Sequence, residues 1–309
     1  MPQRVTILVF VLFVAATLTL TPSFSQQELA PPQDSQPPLT LDAKRESPLD
    51  LELGGDLFGL PSNSVRYITR KELLVLPQTA YTVSDDPNFS KPTKVSGVLL
   101  ADLITRAAAN PKSDIAVALC SDKYRANYPR DYLAAHQPLL VLEIDGQPPA
   151  GWPKDAESRT MAMGPYLISH PKFFPGLATA HGEEETQVPW GVVRIDFRDE
   201  HQIFARIEPR GPNANNPQVR TGHQIAKQNC FRCHNSGPEG GQKSGVAWTI
   251  LATLATSAPD HFVAYVRNPQ AQDPQAQMPP NPDFDDETLG ALTAYFQTFS
   301  SQQSPQVNP

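Results

Sequence analysis

Five consecutive residues, Cys230-Phe231-Arg232-Cys233-His234, bring two thiols and an imidazole together at a spacing suited to chemistry. On a helical turn, residues three and four apart share a face, so both sulfurs and the imidazole can converge on one flat group. The pattern C-x-x-C-H is that of covalent c-type haem attachment. Cys230 and Cys233 would form thioethers to the haem vinyls, and His234 would bind the iron as proximal ligand. Structural zinc would need four ligands, and the chain has no second Cys/His cluster to supply them. A redox dithiol needs no adjacent histidine.

A haem iron held by His234 has a sixth position to fill. Past the residues that lead into this motif the chain has a single methionine, Met278, followed by Pro279 and Pro280. A thioether ligand favours ferrous iron and raises the reduction potential. Flanking prolines suit a rigid loop that could present Met278 as distal ligand; the alternative is a core methionine filling a gap. His223 and His261 are the competing candidates. His223 lies on the proximal side, only a few residues before Cys230, and His261 begins a helix as a solvated residue.

The elements that must hold these groups are helical. Gly222 to Asn229 leads into the motif, and Pro259 to Arg267 places Phe262, Tyr265 and Val266 at helical spacing. Asp286 to Phe299 sets Leu289, Leu292, Phe296 and Phe299 on one stripe, with Asp285, Asp286 and Glu287 at its favourable end. Upstream the pattern changes. Short apolar runs at Ile115–Leu119, Leu139–Leu142, Val192–Phe197 and Ile203–Ile207 read as strands, and Leu99–Ile104 as a helix preceded by Gly97. Gly and Pro punctuate the intervals, which gives a β-rich α+β domain.

Composition divides the rest. Arg4, the apolar run Val5–Leu20 and the small-x-small site Ser23-Phe24-Ser25 read as an export signal over residues 1–25, with no stop-transfer pattern. Residues 26–50, rich in Pro, Gln, Ser and charge, read as a disordered linker. The α+β domain is expected over 51–208, a second linker over 209–218, a helical domain over 219–300 and a disordered tail over 301–309. A net charge of −7 argues against nucleic acid as a partner. Three cysteines, two of them in the pentapeptide, exclude a disulfide framework and leave Cys120 alone. Export agrees with covalent haem, which is assembled outside the bacterial cytoplasm. The periplasm is the expected compartment, with no membrane span once the signal is cleaved; an uncleaved signal anchor is the alternative.

Gly222, the pentapeptide, Met278-Pro279-Pro280 and the final helix through Leu292-Thr293-Ala294-Tyr295-Phe296 resemble a class I cytochrome c. The resemblance covers the C-terminal quarter. It implies an all-α fold in which the first and last helices cross beside the haem, so that Ile225 packs near Tyr295 and Phe296. It also implies an apolar seal at the haem edge, with Trp248, Ile250 and Leu251 as candidates.

A second resemblance covers most of the larger domain in short pieces. Val95-Ser96-Gly97-Val98-Leu99-Leu100-Ala101-Asp102-Leu103 is similar to the G-x-x-L-x-D-L helix of the sulfite oxidase-like molybdopterin-binding fold. Val117 to Tyr124, Met163 to Ile168 and Trp190 to Ile195 are similar to its following strand and turn, its late Gly-Pro strand and its final strand. That family holds molybdenum through a cysteine preceding the G-x-x-L-x-D-L helix, and here no cysteine lies between Met1 and Leu119. Cys120 follows the helix, where a buried small hydrophobe is the expectation and a metal ligand the alternative. Arg125 and Arg130 read as exposed residues after a strand, with an anionic cofactor pocket the alternative; His170 and His181 have no partner pattern, and the acidic runs His181–Glu185 and Asp155–Glu157 read as solvated loops.

The expected protein is multidomain: a sulfite oxidase-like domain without molybdopterin, followed by an all-α cytochrome c domain with one covalent haem c. It would carry single electrons through His234/Met278-ligated iron rather than catalyse. Between Thr221 and Ser300, Lys227, Arg232, Lys243 and Arg267 face Glu239, Asp260, Asp273, Asp283, Asp285, Asp286 and Glu287. That acidic balance implies a redox partner protein with a basic docking patch. The alternatives are a molybdopterin-type oxidoreductase feeding its own haem, and a haem-based redox or gas sensor.

Overall fold

Continuous apolar runs such as Ile115–Leu119 require a strand buried on both faces, since alternation would otherwise expose every second side chain. The computed structural model describes residues 39–107, 109–152, 163–173 and 186–299. It shows such a sheet, built from β1 (Leu51–Gly55), β2 (Arg66–Ile68), β3 (Thr79–Val83), β4 (Thr93–Leu99), β5 (Ile115–Cys120), β6 (Arg125–Pro129), β7 (Leu139–Ile144), β8 (Tyr166–Ser169) and β9 (Trp190–Arg198). Helices α1 (Arg70–Val75), α2 (Leu100–Arg106), α3 (Arg130–His136) and α4 (Glu200–Phe204) punctuate it. Strand β9 joins the parts: it pairs parallel with β1 and antiparallel with β5 and β8. From β8 the sheet continues through β7 and β4 to β3.

The two faces of β5 and β7 enter different cores. Ala116, Ala118 and Cys120 bury with Leu53, Leu140 and Ile195, whereas Ile115 and Val117 bury with residues of the helical region. On β7, Leu140 and Leu142 share that first core while Leu139, Val141 and Ile144 pack with Trp152 and Leu167 in a third.

The helical region comprises α5 (Pro217–Ile225), a π turn over Ala226–Cys230, the short hairpin β10 (Asn235–Ser236) and β11 (Glu239–Gly240), then α6 (Trp248–Ser257), α7 (Pro259–Arg267), α8 (Pro269–Gln272) and α9 (Asp286–Gln297). Asn216 caps α5 by accepting the Gln218 N–H at 2.9 Å, and Asp285 caps α9 by accepting the Thr288 N–H at 2.8 Å. Helices α5 and α9 cross at Gly222, where a Cβ would overlap the carbonyl oxygen of Ala291. Only glycine permits that approach. Ile225, Trp248, Tyr295 and Phe296 share the second core.

Three expectations are corrected. Ile203–Ile207 is not a strand: α4 ends at Phe204, because Asp199 accepts the Gln202 N–H at 2.9 Å and starts a helix. A short apolar run carries too little periodicity to separate the two states. Residues 39–50 are not structureless: Asp42 bridges Tyr67, and the Asp50 carboxylate accepts the Glu46 and Ser47 N–H groups at 2.8 Å. Ile203, Phe204 and Ile207, placed in the larger domain before a linker, bury instead in the second core. The two regions therefore share a core as well as a connecting segment. The export signal, His181, Glu183–Glu185, Asp155–Glu157 and the tail after 299 lie outside the described residues. Among the described residues no helix is long and apolar enough to cross a membrane.

Candidate functional site

Helix α5 does not stop before the pentapeptide but widens into it. The Phe231 N–H donates to the Ala226 carbonyl at 3.0 Å, a π-type step, and π turns occur often at functional sites. The Cys233 and His234 N–H groups then both donate to the Cys230 carbonyl, at 3.1 and 2.9 Å. This single closed turn brings Cys230, Cys233 and His234 together. Both thiols are partly exposed and neither is in a disulfide.

The imidazole of His234 is 8% exposed and its orientation is held from one side. Nδ1 lies 2.8 Å from the Val246 carbonyl oxygen and 3.0 Å from Ser244 Oγ. A carbonyl only accepts, so Nδ1 carries the proton. Burial lowers the pKa of His234, the Val246 hydrogen bond opposing, and favours the neutral ring. Nε2 then keeps its lone pair, the tautomer that a metal-binding imidazole needs. Burial likewise raises the Cys233 thiol, against the pull of Lys243 and Arg232.

Met278 is partly buried and, like Cys230, borders the second core. Its loop is fastened by two amides. Gln270 Nε2 donates to the carbonyls of Ala276 and Met278, both at 2.9 Å, and Asn281 Nδ2 donates to the Val266 carbonyl at 2.9 Å. Behind the turn sits an aromatic cluster. Phe231 meets Trp248 edge-on at 5.5 Å, and Trp248 lies 4.9 Å from Phe296. Leu251 packs partly against this core, whereas Ile250 is exposed. The donor set thus fits a covalently held haem: two accessible thiols, a neutral imidazole with one committed nitrogen, and a restrained thioether beside apolar side chains.

The competing histidines are placed differently. His223 is buried, stacks on Tyr295 at 5.3 Å and has Nε2 3.9 Å from Glu208. Burial pushes its pKa down to about 4, with Glu208 acting against it. His261 is exposed, its ring 6.0 Å from that of Tyr265.

In the sheet domain, Cys120 is 6% exposed in the first core, and burial drives its thiol well up. A thiol so disposed is a poor thiolate donor. His170, for which sequence offered no partner, has Nε2 2.9 Å from the Tyr132 hydroxyl, and burial lowers its pKa to about 3. Gln187 braces this nest, exchanging hydrogen bonds with both backbone groups of Asn127. Arg125, expected to be exposed, is 7% exposed and pairs with Glu239 at 2.7 Å; nothing in the local sequence pairs residues so far apart. Val246, Ser244, Gln270 and Asn281 were also missed. The polar residues between Gly237 and Val246 were the available signal for a support loop.

Residues 217–296 match the family described as cytochrome c oxidase, cbb3-type, subunit III. The chain therefore carries a cytochrome c domain, of the class of haem electron carriers, after a β-rich α+β domain. Among solved structures it is similar to the sulfane dehydrogenase SoxCD from Paracoccus pantotrophus. That match has 15% identity and a TM-score of 0.34, and covers 56% of this chain and 45% of that one. The chain thus matches less than half the length of that relative. No curated protein matches the sequence.

Proposed function

We propose that this protein is a periplasmic single-electron carrier with one covalent haem c, thioether-linked to Cys230 and Cys233 and ligated by His234 and Met278. The observation that carries this reading is the turn itself. Cys233 and His234 both hang from the Cys230 carbonyl, while Val246 and Ser244 commit Nδ1 of His234 and leave Nε2 for a metal. When bound, the haem supplies a reversible one-electron couple. The protein's own residues orient the imidazole, restrain the Met278 loop through Gln270 and Asn281, and exclude water with Phe231, Trp248 and Phe296.

The sheet domain is read as sulfite oxidase-like from its sequence pieces, without molybdopterin. The burial of Cys120, its one described thiol, supports that reading. Charge supports an acidic docking face. Lys227, Lys243 and Arg267 are each held by a carboxylate, Glu200, Asp122 and Asp286, while Asp260, Asp273, Asp283 and Glu287 are exposed. A partner with a basic patch fits that face, and its encounter would weaken with salt.

Metal analysis and reduced absorption spectra of protein purified from the periplasm test the proposal. The expected result is one iron per chain, a c-type spectrum and no carbon monoxide adduct. Molybdenum near one per chain, lost in Cys120→Ser, would favour the oxidoreductase. Ready carbon monoxide binding would favour the sensor.

A further inference from the structure

The segment Arg232–Glu239, which contains Cys233 and His234, is fastened at both ends by one residue of the sheet domain. At one end the Arg125 N–H donates to the Arg232 carbonyl at 3.0 Å. At the other, Arg125 Nη2 donates to Glu239 Oε2 at 2.7 Å. Arg198 of β9 takes the second carboxylate oxygen, Oε1, at 2.8 Å. Arg125 and Glu239 are 7% and 6% exposed. Burial pulls the Glu239 carboxyl up, but the two guanidinium groups outweigh it and hold the carboxyl below its usual range.

The same segment is pinned from behind by its own loop. The Gly241 N–H donates to the Phe231 carbonyl at 2.9 Å, and the Ser244 N–H to the Cys233 carbonyl at 3.2 Å. At Gly241 a Cβ would overlap the Arg232 carbonyl oxygen. A buried ion pair adds little net stability, because desolvation offsets the attraction, and in some proteins its use is to specify one arrangement. Here the pair closes on the segment that bears His234.

We propose that Arg125 and Glu239 are positioning residues for His234, so that the sheet domain sets the orientation of the axial imidazole from outside the cytochrome domain. The inference rests on the proposed ligation by His234. Its test uses the full-length, haem-loaded protein and compares Glu239→Gln with Arg125→Met. Reduction potential, ferric absorption spectrum and thermal midpoint are measured for each. Removing charge alone would move the potential in opposite directions for the two variants. Shared positioning predicts shifts of the same sign, with the same change in ferric spectrum. Asp122→Asn, which breaks the Lys243–Asp122 pair elsewhere at this contact, should leave the ferric spectrum unaltered and move the potential only upward, as loss of a negative charge does.

The inference is overturned if the two shifts are opposite with unchanged spectra, if only the thermal midpoint falls, or if Asp122→Asn changes the ferric spectrum as the other two do. Where Glu239→Gln does not accumulate, Glu239→Asp keeps the charge and should shift the potential in the direction seen for Arg125→Met; no shift overturns the idea. Wild-type protein without covalent haem would defeat the proposed function itself. Haem-loaded wild type with silent variants would defeat only this inference.

Discussion

Cys120 and Cys233 belong to regions built on different principles. Cys120 closes a strand, faces the first core with Ala116 and Ala118, and has its thiol driven up by burial. Cys230 and Cys233 stand on a widened helical turn, partly exposed, with an oriented imidazole following at once. The sheet region spends its cysteine on packing. The helical region withholds two from the core and surrounds them with restraints, Val246 and Ser244 within and Arg125 from across the contact. Residue type alone says nothing of this difference; backbone position decides it.

The sharpest way to break the comparison is to exchange the fates of the thiols. Cys230→Ala combined with Cys233→Ala should abolish covalently held haem, read by haem staining after denaturing electrophoresis. Cys120→Ala should leave haem content unchanged and cost about 1 kcal/mol of stability in chemical denaturation, as for loss of a small buried group. Haem loss in Cys120→Ala would erase the distinction.

Next in size is the helix crossing that carries the turn. Gly222→Ala forces a methyl group into the Ala291 carbonyl and should destabilise the protein by on the order of 2–4 kcal/mol, seen in thermal unfolding. An unchanged midpoint would mean that α5 and α9 cross less closely than described.

Acid should strain both regions through buried histidines. His223 is depressed to about 4 and His170 to about 3, each from 6.5 and chiefly by burial. The unfolded chain takes up these protons first. Stability is therefore fully present above pH 6.5 and falls as pH drops toward those values. Each unit of depression is worth about 1.4 kcal/mol. His223→Phe, which keeps a ring against Tyr295, should flatten the profile between pH 6.5 and about 4. An identical slope in the variant would remove His223 from the account.

A further effect concerns the seam. The Tyr295 hydroxyl of α9 donates to the Ile207 carbonyl in the stretch that links the two regions. Tyr295→Phe leaves that buried acceptor unpaired and should cost about 1–3 kcal/mol, with haem content intact.

Legibility followed the same divide. The pentapeptide, α7, α9 and the runs that became β5, β7 and β9 could be read directly, because each signal is local: a fixed spacing, a 3.6-residue stripe or a continuous apolar run. Ile203–Ile207 misled because five residues show too little period and because the deciding contact, Asp199 to the Gln202 N–H, is a cap. Arg125 was read as solvated because its partner Glu239 is distant in sequence. Likewise the second face of β5 could be known to be buried, but not what buries it. Local pattern reveals which groups can react. Long-range pairing reveals what holds them, and one sequence carries little of it.

The most direct test is the intact mass of the full chain purified from the periplasm after denaturation. A polypeptide heavier by one haem, with Cys120 alone still alkylatable, is the result expected here. A mass equal to the bare polypeptide, with Cys230 and Cys233 open to alkylation, would contradict it.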